Sequence, residues 1–420
     1  RVLRDITNVA VANLRIVLPE GTQSAFNSMH EDADVDAFML YRRGKEIFEQ
    51  PRTVESLAAV IDLYREALAL DSGYAAAHAG LCNAYVALYE ETGAAVDIGK
   101  AEVACAAALR SDSRLYMVHS ALGELYANTG RITDAEQAFN NALDINAKDV
   151  QAMAGLADIY RRTQRFSEAE ELFIAAVERQ PGNWRTVNSY GRFLFVMGRY
   201  IDAAEQFRLV VSIDPGNATA RSNLGAALTL AAEFEEARQV LEETVALQPI
   251  AKTWSSLGVI LYYLGDFEQS VESHRRAAEL RPSDDVVWLN LADSLHFAGR
   301  ADEATDAYER ARELSAARLE IDSSDGVAMT TLAWAEYMLG DSAAALELVE
   351  QSLQIDPEDP YTYYYDALIR YQTGDRDATL TSLAAALERG YPPGLLVAEP
   401  HLGDIRADDR FHAIIVDNIR

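Results

Sequence analysis

Apolar residues recur at helical spacing in a pattern that repeats along most of the chain. The clearest markers are four alanines that stand 34 residues apart: Ala135, Ala169, Ala203 and Ala237. A large apolar residue follows each alanine at the same offset: Phe139, Phe173, Phe207 and Leu241. A repeat of this length, with apolar positions at i, i+3, i+4 and i+7, predicts pairs of helices stacked into a solenoid.

Every unit follows one plan. Its first helix carries an apolar stripe with a small residue in it, which lets the neighbouring helix approach closely; examples are Gly123, Gly225 and Gly258. The turn that follows holds a glycine, where a helix C-terminus favours a positive φ, and these glycines are Gly130, Gly198, Gly265, Gly299, Gly340 and Gly374. The second helix ends before a proline, which cannot continue it; these prolines are Pro181, Pro215, Pro249, Pro282 and Pro357.

This pattern resembles the tetratricopeptide repeat, with about ten units between Ala37 and Gly390. The resemblance implies an all-α fold: a right-handed superhelical solenoid of helix pairs, with an N-terminal helix and a C-terminal capping helix. Extra residues interrupt the register around 50–55 and 90–98. The second helix of the eighth unit continues through 315–319, and the alanine step from Ala304 to Ala345 is seven residues longer than the repeat. Seven residues make roughly two turns, so the same face stays buried.

Three segments are expected. Residues 1–36 are an N-terminal helix and linker that end an upstream segment, residues 37–390 are the solenoid, and residues 391–420 are a cap. The N-terminal segment, the entry "AFMLYRRGKEIF" and the closing "PHLGDIRADDRFHAII" resemble a bacterial group in which repeats follow a TolB-like segment, downstream of a winged-helix, cyclase or kinase module. The resemblance implies the sensing or docking part of a signalling protein.

Composition narrows the classes of partner. The chain has 66 acidic and 37 basic residues, a formal net charge of −29, which repels phosphate backbones; a nucleic-acid ligand is therefore not expected. No stretch of about 18 apolar residues is present, so membrane insertion is not expected either. Scattered histidines and the lack of a catalytic motif predict a protein that is not an enzyme, with no cofactor, no metal and no catalytic residue.

The two cysteines, Cys82 and Cys105, fall at the same height on the two helices of one pair. We expect buried free thiols, because small apolar residues belong at both positions. The alternative is a disulfide, which implies an oxidising compartment. The compartment stays open between bacterial cytoplasm and periplasm.

In this repeat family the first helices line a concave face, and their residues beside the buried stripe form a predicted two-part groove. The first part is basic and rich in amides: Arg161, Arg162, Arg185, Asn188, Arg192, Asn223 and Asn290. The second part is aromatic: Tyr262, Tyr263, Phe297, Trp334, Tyr337 and Tyr364. Arginine matches carboxylates, amides pair with a peptide backbone, and aromatics are enriched at binding hot spots. The alternative is that the aromatics pack between repeats and the arginines pair with nearby carboxylates.

These features predict a non-catalytic protein–protein interaction scaffold that binds a peptide or protein segment from an acidic or aromatic partner. One alternative is the substrate-recognition arm of an enzyme, such as a glycosyltransferase, whose catalytic domain is absent. Another is a structural assembly module. The oligomeric state is left open.

Overall fold

The computed structural model describes residues 35–50 and 52–418. Within these ranges the chain is all-helical, without strands, and the helices follow one another in consecutive pairs, as the repeat predicts. The predicted N-terminal helix and most of its linker lie outside the described residues. None of the described helices combines the length and the hydropathy needed to cross a bilayer.

The chain divides into two compact units between Phe193 and Leu194. The helices of unit 1 are α1 (Val35–Phe48), α2 (Val54–Leu70), α3 (Ala75–Thr92), α4 (Ala95–Ser111), α5 (Tyr116–Asn128), α6 (Ile132–Ile145), α7 (Val150–Arg162), α8 (Phe166–Arg179) and most of α9 (Trp184–Val196). Odd numbers mark the first helix of each pair and even numbers the second.

The pairs of unit 2 continue the same order. They are α10 (Tyr200–Ile213), α11 (Ala218–Leu230), α12 (Phe234–Leu247), α13 (Ala251–Tyr263), α14 (Phe267–Leu280), α15 (Asp285–Phe297), α16 (Ala301–Ile321), α17 (Gly326–Met338), α18 (Ser342–Ile355), α19 (Pro360–Gln372) and α20 (Arg376–Glu388). The closing elements are α21 (Pro393–Ala398), a 3-10 helix (Pro400–Ala407) and α22 (Asp409–Asn418).

Phe139 shows why the first helices carry small residues. Its ring packs between α5 and α7, against Gly123 and Gly155. A Cβ at Gly123 would lie 2.4 Å from the ring, and one at Gly155 would lie 2.3 Å from it. The same contact recurs in unit 2 between Gly225 and Leu241, where a Cβ would lie 2.6 Å from the leucine. The predicted role of the small residue is confirmed at these glycines, because a Cβ there would overlap the side chain that packs against them.

The irregular units lengthen their helices. The prediction for α16 is confirmed: it spans 21 residues, against 14 for α14, and absorbs the seven extra residues. In unit 1 the insertion around 90–98 extends both helices of the second pair, to 18 residues in α3 and 17 in α4. In the first pair, α1 ends at Phe48 and α2 begins at Val54, with Thr53 as its N-cap.

Cys82 and Cys105 form a disulfide between α3 and α4, with their Cα atoms 5.2 Å apart. The prediction that they are neighbours is confirmed, and the expectation of free thiols is wrong. Both side chains are fully buried at the contact between the two helices. The small residues that the repeat requires there bring the backbones within disulfide range.

Candidate functional site

Unit 1 contains a cavity of about 810 Å³ along its first helices. Each of the five first helices contributes polar side chains to the lining, because the second helix of each pair packs behind it. Representative residues, one from each helix in order, are Lys45, Asn83, Glu124, Gln151 and Arg185.

Contacts between α1 and α9 close one side of this cavity. The indole Nε1 of Trp184 donates a hydrogen bond to the carbonyl of Glu49 at 3.1 Å. The guanidinium of Arg185 donates from Nη2 to the carbonyls of Phe48 and Gln50. Because the C-terminus of a helix presents carbonyls without partners in the helix, it suits these donors.

Two arginines share one aromatic ring at this point. The guanidinium carbons of Arg52 and Arg185 lie 4.5 and 4.9 Å from the centroid of the Phe48 ring. Burial, and then the positive charge of Arg52, lower the pKa of Arg185 to about 9. Burial also lowers the pKa of Arg52, whose Nη1 lies 3.3 Å from a carboxylate oxygen of Glu90. The cavity therefore holds two like charges that repel one another, while the carboxylates of Glu49, Glu90 and Glu124 attract Arg185.

Glu124, from α5, stands in the same cluster. Burial raises its pKa to about 7, and the negative charge of Glu90 adds to this shift, while Arg52 and a hydrogen bond with Gln151 oppose it. A carboxyl group with this pKa gains and loses its proton near neutral pH.

Three polar atoms of the lining have no hydrogen-bond partner among the described residues. They are the Nε atoms of Arg52 and Arg185 and the Oδ1 atom of Asn83. The arginine atoms are donors and the asparagine atom is an acceptor. A guest with an acceptor and a donor group fits this set.

The predicted basic and amide residues differ in their surroundings. Arg161 and Arg162 both pair with Asp158, at 2.8 and 2.7 Å, as the alternative interpretation expected. Arg192 is exposed and, unlike Arg185, does not line the cavity. Asn188 is half-buried and does not line the cavity either. Asn223 and Asn290, in unit 2, are half-buried.

In unit 2 a segment of the chain itself, residues 391–407, packs on four of the predicted aromatic residues: Tyr262, Phe297, Trp334 and Tyr364. The hydroxyls of Tyr262 and Tyr364 donate hydrogen bonds to the two carboxyl oxygens of Glu399, at 2.9 and 2.7 Å. Glu399 is buried, with 1% of its surface exposed. One buried carboxyl group thus joins α13 and α19 to the turn between α21 and the 3-10 helix.

His401 completes this covering. Its ring centroid lies 4.6 Å from that of Phe297 and 4.8 Å from that of Trp334. The remaining predicted aromatics stack on neighbours, Tyr337 on Trp334 and Tyr263 on Phe234. Tyr262, Phe297, Trp334 and Tyr364 are therefore packed against the closing segment of the chain and are not open to a partner in this structure.

Sequence reasoning missed Arg52, Asn83 and Glu124. The repeat register contained a signal for two of them: Asn83 and Glu124 each follow the small residue of the first helix, the same position that Arg192 occupies. The predicted basic and amide residues all come from α7 and later helices, so this position of α3 and α5 was not included. Arg52 lies in the irregular turn between α1 and α2, where the register gives no guidance.

Comparisons with known proteins agree with this architecture. Sequence models described as tetratricopeptide repeat match residues 120–184, 154–218, 194–251, 251–284 and 283–358. Together they run without a gap from residue 120 to 358, more than half of the chain. No curated protein matches.

Solved structures with similar folds cover part of the chain. A MamA fragment from Desulfovibrio magneticus RS-1 is 20% identical, covers 40% of this chain and 96% of its own, and has a TM-score of 0.38. Pseudomonas aeruginosa pilF is 17% identical, covers 59% and 93%, and has a TM-score of 0.35. YrrB, described as a TPR protein with an unusual peptide-binding site, is 18% identical, covers 46% and 96%, and has a TM-score of 0.39.

Proposed function

The chain belongs to the tetratricopeptide-repeat family, and on that premise we propose that it is a non-catalytic scaffold that binds a peptide segment of another protein in the cavity of unit 1. Repeats of this kind present their inner helices to protein partners. The proposal places the segment along α1, α3, α5, α7 and α9.

The polar cavity of unit 1 is the observation that carries this proposal. Its volume of about 810 Å³ falls in the range of roughly 300–1,000 Å³ that is usual for ligand pockets. Its lining includes amide side chains from several elements: Asn83, Asn146, Gln151, Gln180 and Asn183. Amides both donate and accept hydrogen bonds, which suits the alternating N–H and C=O groups of a peptide backbone.

The wider role that we propose is docking within a bacterial signalling protein. Its support is the resemblance of the entry "AFMLYRRGKEIF" and the closing "PHLGDIRADDRFHAII" to that group. The covered aromatic surface of unit 2 is not part of this proposal.

Selection from a random heptapeptide library, followed by fluorine NMR, tests the binding site. Trp184 lines the cavity and is the one tryptophan of the sequence before residue 194. In protein labelled with 5-fluorotryptophan, a selected peptide should shift the Trp184 resonance. This resonance is assigned as the one that is missing from the spectrum of the Trp184→Phe variant. The resonances of Trp254, Trp288 and Trp334 in unit 2 serve as internal references.

A variant that fills the cavity provides the control. Ala154 of α7 lines the cavity and is half-buried, so Ala154→Phe should weaken the selected peptide by at least about tenfold, whereas Ala154→Ser should leave its affinity unchanged. Peptides that bind without moving the Trp184 resonance, and that bind the filled variant equally well, would contradict the proposed site.

A further inference from the structure

We propose that the cavity of unit 1 selects a segment bearing a carboxylate side chain, which Arg52 and Arg185 bind together, and that Glu124 makes this binding weaken as the pH rises. This inference rests on the proposed function, since it names the chemical class of the segment and the groups that recognise it.

The two arginines supply the argument for an anionic group. They flank the Phe48 ring within 5 Å, and each keeps an Nε without a hydrogen-bond partner among the described residues. Glu90 pairs with Arg52, whereas Arg185 donates hydrogen bonds to carbonyl groups, and Glu49, Glu90 and Glu124 act on it only through their charges. A guest carboxylate between the two guanidiniums would relieve their mutual repulsion and accept from both, and charge-assisted bonds of this type are the strong ones.

Asn83 supplies the argument for a peptide rather than a bare anion. Its unpartnered Oδ1 is an acceptor, which needs a donor from the guest. A carboxylate side chain on a peptide brings backbone N–H donors with it. An inorganic anion without hydrogen, such as chloride or sulfate, offers no donor and would leave Asn83 unsatisfied.

Glu124 supplies the pH dependence. The charged groups that act on it are Arg52 from the turn after α1, Glu90 from α3 and Asp158 from α7. Arg185 of α9 interacts with its charge as well, and Gln151 of α7 hydrogen-bonds to it. With its pKa near 7, Glu124 is neutral in mildly acidic solution and leaves the arginines to the guest. When it ionises, its charge repels the guest carboxylate and competes for Arg52. Binding above neutral pH must then be accompanied by proton uptake.

The experiment starts from a heptapeptide selected on the wild-type protein at pH 6. The selected sequences should share Asp or Glu at one position, and replacing that residue by Gln or Asn in the synthetic peptide should weaken binding at least tenfold. Arg52→Met and Arg185→Met should each weaken the binding of the acidic peptide by a similar factor. The same variants should bind the amide peptide almost as well as the wild-type protein does. Arg110→Met, at an exposed position on α4 away from the cavity, is the matched control.

Arg185→Met could disturb the contacts between α1 and α9. The comparison of the acidic and the amide peptide avoids this problem, because both are measured on the wild-type protein. Between pH 6 and pH 8 the affinity of wild type should fall by up to about tenfold, and Glu124→Gln should remove this dependence.

The outcomes separate the two proposals. Peptides that shift the Trp184 resonance but show no acidic preference would overturn this inference and leave the proposed function standing. An acidic preference with a pH profile that Glu124→Gln does not change would overturn the role of Glu124. If small dicarboxylates such as succinate shift Trp184 and no peptide does, the proposed function itself fails.

Discussion

At the scale of single residues, the turn after each first helix shows how the repeat tolerates exceptions. Gly130 and Gly198 have φ values of 75° and 73°, the positive values predicted for glycines in these turns. The equivalent positions 34 residues on from each hold Gln164 and Ala232, with φ values of 61° and 60°. The backbone of the repeat therefore imposes a left-handed turn even where the residue disfavours it, at a cost of roughly 1–2 kcal/mol.

Gln164→Gly should therefore stabilise unit 1. Gln164 is exposed, so its side chain contributes little packing. Relief of the left-handed strain exceeds the extra entropy of glycine in the unfolded chain, and a net gain of about 0.5 kcal/mol in the free energy of unfolding is expected. Urea denaturation measures it. Gly130→Ala, where nothing lies within 4 Å of the added Cβ, should cost about 1 kcal/mol and is the reciprocal control. Equal midpoints for both variants would contradict the argument.

His274 occupies the position that phenylalanine or leucine fills in other units. It is 1% exposed, and burial lowers its pKa to about 4, with Asp293 opposing the shift. The folded state thus excludes a proton that the unfolded chain binds below about pH 6.5. The stability that depends on neutral His274 is complete above pH 6.5 and is lost as the pH falls toward 4, to a total of about 3 kcal/mol.

His274→Leu should flatten this part of the pH profile, because the side chain no longer titrates. Leu241 fills the equivalent position of the preceding unit, so leucine suits the space beside Gly258. Urea midpoints at pH 7 and pH 4.5 measure the effect. His78→Leu serves as a control, since that histidine is only half-buried and bonds to the turn carbonyl of Ser72. A wild-type pH dependence that persists undiminished in His274→Leu would refute the assignment.

At the scale of elements, the two additional turns of α16 bring a charged residue to a buried carboxylate. Arg318 lies in the inserted stretch and contacts Asp285 at 2.6 Å and Asp325 at 2.5 Å. The Asp285 side chain is only 2% exposed. Asp325 also caps the N-terminus of α17. The insertion thus connects the starts of α15 and α17 through one guanidinium.

Arg318→Met should lower the free energy of unfolding by about 3 kcal/mol, because it leaves the Asp285 carboxylate buried without its partner. Arg310→Met on the same helix removes only an exposed pair with Glu313 and should cost no more than about 0.5 kcal/mol. Combining Arg318→Met with Asp285→Asn should recover part of the loss, since the buried charge is gone. If the Arg318 and Arg310 variants unfold at the same urea concentration, the buried pair does not stabilise unit 2.

The repeat made most helices predictable, because residue spacing within each helix pair specifies them. The alanine ladder from Ala135 to Ala237 fixes which face of each second helix is buried, and Gly123 or Gly225 marks where helices touch. Seven inserted residues could be placed in α16 because two turns preserve the register. The site depends on contacts that no local pattern specifies. Arg185 donates a hydrogen bond to the carbonyl of Phe48, which lies 137 residues earlier in the sequence. The hydrogen bond from Tyr262 to Glu399 has the same sequence separation.

At the scale of the whole molecule, the two units differ in what covers the surface of their first helices. Unit 1 leaves polar groups around a cavity, whereas unit 2 packs its aromatic residues against residues 391–407. Leu395, Leu396, Leu402 and Ile405 of that segment are all buried in the same apolar core as Trp334. An aromatic surface along first helices is therefore not by itself a sign of an external partner, because a closing segment of the same chain satisfies it here.

Glu399→Ala should loosen this closing segment without unfolding the helix pairs beneath it. The hydroxyls of Tyr262 and Tyr364 would lose their shared acceptor and stay buried, at a cost of about 3 kcal/mol. Amide hydrogen exchange should become faster in residues 391–407, while the amides of α14 and α16 keep their protection. Glu388→Ala, at an exposed position on α20, should leave every rate unchanged. If exchange rose equally throughout unit 2, the carboxyl group would support the whole unit; if no rate changed, the leucine contacts alone would hold the segment in place.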